Sequence, residues 1–146
     1  MCSRTYAGFA MAVVLIIEDE DHLRALAETY LHEQGHDILS AGTRDGAVAL
    51  LKSPRQIDLL FTDLTLHGDL QAGIDIARQA VERRPDLKVL YTTGSAVTAG
   101  MRTRFVEGST VLPKPYTVEQ LLSILARHFG IGRPQRARPL PRRAAS

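Results

Sequence analysis

The sequence predicts an α/β protein: one doubly wound sheet of five parallel strands with helices on both faces. Three observations carry that reading. Five short apolar runs alternate with five stretches of helical period. The runs are continuous rather than alternating in polarity, as strands covered on both faces must be. The length, 146 residues, suits one domain at about 150 residues per domain.

The elements follow in order. Val13 to Ile17 is an apolar, largely β-branched run and forms the first strand. Leu23, Leu26, Ala27, Tyr30 and Leu31 then recur at helical spacing, and Gly35 stands at the exit. His36 to Ala41 is the second strand. Gly42-Thr43 opens a helix with Ala47, Leu50 and Leu51 on one face, stopped by Pro54. Ile57 to Thr62 is the third strand, with Asp63 at its end and a polar stretch, Thr65 to Gly73, behind it. Ile74, Ala77, Ala80 and Val81 mark the third helix, ended by Pro85. Leu87 to Thr92 is the fourth strand, Ser95 to about Glu107 a weaker helix, and Thr110 to Leu112 a short fifth strand. Thr117 with Gln120 forms a capping-box pattern before the stripe Leu121, Leu122, Ile124, Leu125 and Phe129, which Gly130 closes.

The charge is unevenly placed. Lys and Arg number 18 against 16 Asp and Glu, a formal +2, yet Arg133, Arg136, Arg138, Arg142 and Arg143 lie in the last fourteen residues, where no acid occurs. Residues 1–132 therefore carry −3, from 13 bases and 16 acids. The tail 131–146 is rich in Arg, Pro and Ala without apolar periodicity and is expected to be disordered, a solvated arm or a weak electrostatic docking segment. Its arginines make no sequence reader, and no DNA-binding domain is expected. The lone Cys2 excludes an internal disulfide framework, and the absence of Trp leaves few stacking platforms for single-stranded nucleic acid.

The eleven positions Ala7 to Ile17 have the length of a signal-peptide core. The run ends in Glu18-Asp19-Glu20-Asp21 rather than in small cleavable residues, and it is too short to span a bilayer. A cytoplasmic location is expected. Met11 is a candidate start of the domain, so the division is an extension over 1–10, a domain over 11–130 and the tail over 131–146.

In open parallel sheets ligands gather at the carboxyl ends of the strands. Those ends carry Glu18-Asp19, Asp63, Thr93-Gly94 and Lys114-Pro115. Taken singly, these are an acidic helix start, a turn residue, a strand exit and a surface lysine. Together they put three carboxylates, a hydroxyl and an ammonium on one rim. Crowded carboxylates repel unless a cation shares them, and oxygen-only ligands select a hard ion, Mg²⁺ or Mn²⁺. Such an ion with a lysine and a hydroxyl suits a phosphoryl group, and a neighbouring Asp can act as nucleophile.

Ile17-Glu18-Asp19-Glu20, Leu60-Phe61-Thr62-Asp63-Leu64, Tyr91-Thr92-Thr93-Gly94 and Leu112-Pro113-Lys114-Pro115-Tyr116 resemble, over residues 11–130, the receiver domain of two-component response regulators. The resemblance implies a flavodoxin-like sheet of strand order 2-1-3-4-5, with Asp63 as phosphoacceptor. It further implies that Asp19, Asp63 and the backbone carbonyl of Thr65 hold the metal, with Glu18 acting mostly through water. Thr93 and Lys114 would contact the phosphoryl group, and Lys114-Pro115 would be a cis peptide. The implied partners are a sensor histidine kinase or histidine phosphotransfer protein and a downstream protein effector, with a homodimer left open. The expected activity is that of a switch with intrinsic phosphotransfer and self-hydrolysis rather than a metabolic enzyme. A phosphate sink or relay without an effector is the alternative. A small flavodoxin-like or phosphatase-like catalyst and a nucleic-acid-associated protein acting through its basic tail are further rivals.

Three departures stand out. Four residues after Asp63, where the family usually has proline, stand His67 and then Gly68, and Gly73 comes about two residues late. Three before Lys114 the frequent aromatic switch residue is Val111, which leaves Thr93, the fourth-helix region or Tyr116 to report phosphorylation. Asp63-Leu64-Thr65 lacks the second Asp of the related phosphatases.

Overall fold

The computed structural model describes residues 9–132 together with Thr5 and Tyr6. Cys2 and the basic tail from Arg133 onward lie outside the described residues. Two short strands, β1 (Thr5–Tyr6) and β2 (Phe9–Ala10), pair antiparallel, an element not foreseen in the segment expected to precede the domain.

The elements that follow are β3 (Val13–Ile17), α1 (Asp21–Glu33), β4 (Asp37–Ala41), α2 (Arg44–Lys52), β5 (Leu59–Asp63), α3 (Ala72–Arg83), β6 (Lys88–Thr93), α4 (Ala99–Arg104), β7 (Thr110–Pro113) and α5 (Val118–Phe129). Strands β3 to β7 form one parallel sheet in the spatial order β4-β3-β5-β6-β7, which is 2-1-3-4-5 counted within the sheet. Both expectations about the sheet hold. Strand ends differ from the sequence reading by one or two residues.

Alternation within the strands sorts the core into two layers. Val14 and Ile16 of β3, Phe61 of β5 and Leu90 of β6 pack with Ala27 and Leu31 of α1 and Leu121, Leu125 and Phe129 of α5. Leu15 and Ile17 of β3, Leu60 of β5, and Val89 and Tyr91 of β6 pack instead with Ala47 and Leu51 of α2 and Ile74, Ile76, Ala77 and Ala80 of α3. Each fully buried aliphatic or aromatic side chain contributes roughly 1.5–3 kcal/mol, so these two layers are the main force holding the sheet.

The fourth helix is shorter than expected. It begins only after Thr98, whose Oγ1 accepts from the Met101 N–H at 3.1 Å, while upstream the Ser95 N–H is engaged by Thr93 Oγ1 at 3.1 Å. It ends at Phe105, which turns to ψ 145° and lays its ring against Tyr91 at 4.6 Å between centroids. The last helix carries the predicted capping box and closes at Gly130 in the left-handed region.

Two polar ties fix the ends of elements. Arg84, just past α3, donates to the carbonyls of Leu51, Ser53 and Arg55 at 2.8–3.1 Å and so satisfies the open C-terminus of α2. Gly73 in α3 lies so close to β5 that a Cβ there would stand 2.1 Å from the Asp63 carbonyl oxygen. Gly73→Ala must push α3 off the end of β5, and a loss of about 1–3 kcal/mol is expected from the cost of overpacking, read by urea denaturation.

His36 is 3% exposed and accepts the Ala12 N–H through Nδ1 at 3.1 Å. Burial pulls its pKa below the usual imidazole range, against a smaller opposing effect of Asp37. The unfolded chain therefore takes up a proton that the folded state resists. Stability from this site is complete above the unfolded value of about 6.5 and falls as pH drops below it, by at most about 1.4 kcal/mol per pH unit. Unfolding free energies between pH 7 and 5 should show this slope, and His36→Asn, which keeps an acceptor there, should flatten it.

Candidate functional site

Because the five strands run parallel, all their carboxyl ends emerge on one rim, and main-chain bonds brace it. The Leu64 N–H donates to the Thr92 carbonyl at 2.9 Å and the Lys114 N–H to the Thr93 carbonyl at 2.8 Å. Glu18 and Asp63 are buried, Thr93 is buried, and Asp19 and Lys114 are half-buried.

At the centre the Lys114 ammonium is shared. Nζ lies 2.8 Å from Glu18 Oε1 and 2.7 Å from Asp63 Oδ2. The second Asp63 oxygen accepts the Thr65 N–H at 3.1 Å, and the second Glu18 oxygen accepts the Glu20 N–H at 3.2 Å. One oxygen from each of Glu18, Asp19 and Asp63 lies within 4.8 Å of the others. The peptide Lys114-Pro115 is cis, as the resemblance implied.

The electrostatics follow from crowding in a half-dry crevice. Burial raises the Glu18 pKa above its usual range, with the Lys114 hydrogen bond opposing. Burial also works against the Lys114 charge, but its hydrogen bonds to Asp63 and Glu18 prevail and hold its pKa above the ordinary lysine value. Tyr116, against Phe61 at 6.0 Å between centroids, is pushed up to about 12, first by burial and then by the Glu18 charge.

The sequence-selected residues meet, with differences of role. Glu18, Asp19, Asp63 and Lys114 form one cluster. Thr93 stands at the adjoining strand end, its Oγ1 turned to the Ser95 main chain at 3.1 Å. Thr65 is joined to Asp63 through its N–H. Val111 is half-buried against the α2–α3–α4 side of the core, where the neighbouring aromatics are Tyr91 and Phe105. Tyr116 lies on the other side and lines, with Leu23, Leu26, Tyr30, Gly94, Lys114 and Pro115, an apolar groove of about 450 Å³.

Sequence reasoning did not reach the outer ring of contacts. The His67 N–H donates to Asp19 Oδ2 at 2.8 Å, and its Nε2 lies 3.1 Å from the Gly42 carbonyl. Arg24 donates to the Glu18 carbonyl at 2.8 Å and pairs with Asp21. Arg104 of α4 bonds Gln71 and Asp75, and Arg44 of α2 reaches Asp69 at 3.5 Å. The His67-Gly68 pair was visible only as a departure from the family's proline, and its partners are 25 and 48 residues away.

An acidic crevice with a shared lysine, at the carboxyl edge of a 2-1-3-4-5 parallel sheet, defines a class: the chain belongs to the response regulator receiver domain family, whose model matches residues 14–126. Among characterised relatives, it is 28% identical over 114 residues to the response regulator receiver protein CpdR of Brucella abortus, covering 77% of this chain and 92% of that protein. It is 26% identical over 133 residues to the DNA-binding transcriptional regulator NtrC of Azospirillum brasilense, covering 88% of this chain but only 26% of that protein. A solved response regulator receiver protein from Sinorhizobium medicae superposes with a TM-score of 0.73 at 27% identity, covering 82% of this chain and 95% of the other. Among the described residues no helix is long and apolar enough to cross a membrane.

Removing the shared cation tests the electrostatic account. Lys114→Met leaves the buried Glu18 and Asp63 facing each other uncompensated, and a loss of about 3 kcal/mol near pH 7 is expected when one partner of a buried ion pair is removed. The deficit should shrink as pH falls and Glu18, whose proton affinity burial already raises, takes up a proton, as read from urea midpoints at pH 7 and pH 5.

Proposed function

We propose that the protein is a phosphoacceptor switch that takes a phosphoryl group from a phosphohistidine onto Asp63. The observation that carries this is Asp63 at the end of β5, paired through Oδ2 with Lys114 at 2.7 Å and flanked by Glu18 and Asp19. The donor is a sensor histidine kinase or a histidine phosphotransfer protein, and the altered surface acts on a downstream protein.

The donor set fits a hard divalent ion, since every candidate ligand is oxygen: the gathered carboxylates of Glu18, Asp19 and Asp63, and the Thr65 carbonyl that the family resemblance adds. Bound there, Mg²⁺ or Mn²⁺ supplies positive charge to the phosphoryl oxygens. The residues do the rest. An Asp63 carboxylate oxygen attacks phosphorus in line as the bond to the imidazole nitrogen breaks, giving an acyl phosphate on Asp63 and a histidine on the donor. Lys114 is released from Asp63 Oδ2 to pair with a phosphoryl oxygen. Thr93 donates its hydroxyl to another after leaving Ser95. Later attack of water on the acyl phosphate returns Asp63 and phosphate.

A second reading, a phosphate sink or relay without an effector, is favoured by one observation. Val111 occupies the place of the switch aromatic, so no ring there can report phosphorylation.

Acetyl phosphate with Mg²⁺ should add one phosphoryl group by intact mass, with none on Asp63→Ala and none in EDTA; equal labelling of both proteins would sink the phosphoacceptor role. Mg²⁺ alone should raise the thermal midpoint, by about 2.7 kcal/mol of added stability at one hundred times Kd, and Asp19→Ala should lose the effect.

A further inference from the structure

We infer that His67 is a positioning residue for Asp19: its main-chain N–H, held by a left-handed turn, orients the Asp19 carboxylate for the divalent ion. The inference rests on the reading of the acidic cluster as a metal site, and it concerns the place where the chain departs from its family.

The loop between β5 and α3 closes on itself. Leu66 and Asp69 exchange main-chain hydrogen bonds at 3.1 and 2.9 Å, and the two residues between them, His67 at φ 48° and Gly68 at φ 81°, both have positive φ. Glycine takes that conformation freely, whereas histidine does so at a cost that the surroundings must offset. His67 is the one non-glycine residue at positive φ among the described residues. Proline, usual at this place in the family, could not adopt it, and it has no N–H to give.

Two contacts do the offsetting. The His67 N–H donates to Asp19 Oδ2 at 2.8 Å, a charge-assisted bond. The exposed ring lies across the mouth with Nε2 3.1 Å from the Gly42 carbonyl and Nδ1 3.8 Å from Asp19 Oδ2. Gly42 in turn leaves room for Arg24: a Cβ there would stand 2.7 Å from Arg24 Nη1, which donates to the Glu18 carbonyl. The loops after β3, β4 and β5 are thus joined edge to edge around Asp19. Glu18 and Asp63 are already oriented by Lys114, Glu20 and Thr65, and the His67 N–H does the same for the third carboxylate. A carboxylate oxygen that accepts one hydrogen bond keeps a lone pair for a metal, so the contact orients Asp19 without consuming it.

The turn, not the imidazole, carries the effect, which separates the variants. His67→Gly and His67→Asn accept positive φ and keep the N–H. His67→Val strains the turn, and His67→Pro abolishes both turn and donor. Mn²⁺ binding to the full chain, followed by electron paramagnetic resonance with circular dichroism as the check on folding, should stay within about threefold of wild type for Gly and Asn and weaken about tenfold for Val and Pro, the size typical of lost outer-shell support. Hydrogen exchange supplies a measurement that leaves His67 untouched: the His67 amide should be protected in the wild type and lose protection in Asp19→Ala. Equal Mn²⁺ affinity across all four variants, or protection unchanged in Asp19→Ala, overturns the positioning role and leaves the metal site standing. A wild-type chain that binds no Mn²⁺, or an Asp19→Ala chain that binds it equally, overturns the metal site itself.

Discussion

The Lys114 ammonium between Glu18 and Asp63 is the contact on which the rest of the site depends. Two buried carboxylates and a third beside them cannot share a crevice without a cation, and in the protein alone that cation is the lysine. Its delivery sets demands on the whole fold. Glu18 leaves β3, Asp63 leaves the adjacent β5, and Lys114 follows β7 at the sheet edge, so the parallel register must bring three strand ends to one height. The main-chain bonds from Leu64 to Thr92 and from Lys114 to Thr93 hold those ends together. Beneath them, two apolar layers on opposite faces make the register costly to shift, because a one-residue slip would exchange Leu15 and Ile17 for Val14 and Ile16.

The same crowding explains how sensitive the site is to its surroundings. Burial alone would leave the Lys114 ammonium disfavoured, yet the two carboxylates reverse that, while Glu18 keeps a raised proton affinity despite its lysine. Any group that takes one oxygen from this balance disturbs the other partners. Around this centre the outer polar contacts run outward in two directions. Arg24, Gly42 and His67 join the loops over Asp19, while Gln71 and Asp75 carry ties to Arg104 of α4. With valine at 111, the aromatic pair beneath α4 is Tyr91 and Phe105, and α4 itself has no buried residue.

The fold was legible in the sequence because its signals are local and repeated. Continuous apolar runs, helical stripes, the Thr117-Gln120 box and stopping prolines each act within a few residues, and the strand order came with the family resemblance. The exception is α4, where Ser95 to Glu107 carried too weak a stripe to show that Thr93 captures Ser95 and that Phe105 breaks away to meet Tyr91. The acidic cluster was legible as well, since the strands carry their chemistry at their carboxyl ends. His67 shows where that legibility stops. Its replacement of proline was visible, but its hydrogen bond to Asp19 spans 48 positions, and no periodicity encodes it.

The sequence by itself determined the α/β class, the alternation of elements and the residues that stand at the strand ends, because hydrophobic period, caps and breakers act over one or two turns of chain. Only the tertiary structure decided that Lys114 bridges Glu18 and Asp63, that Arg84 closes α2, and that His67 holds Asp19 from a left-handed turn. Each of those depends on where separate segments come to rest against one another, and that is set by packing across the sheet rather than by neighbours in the chain.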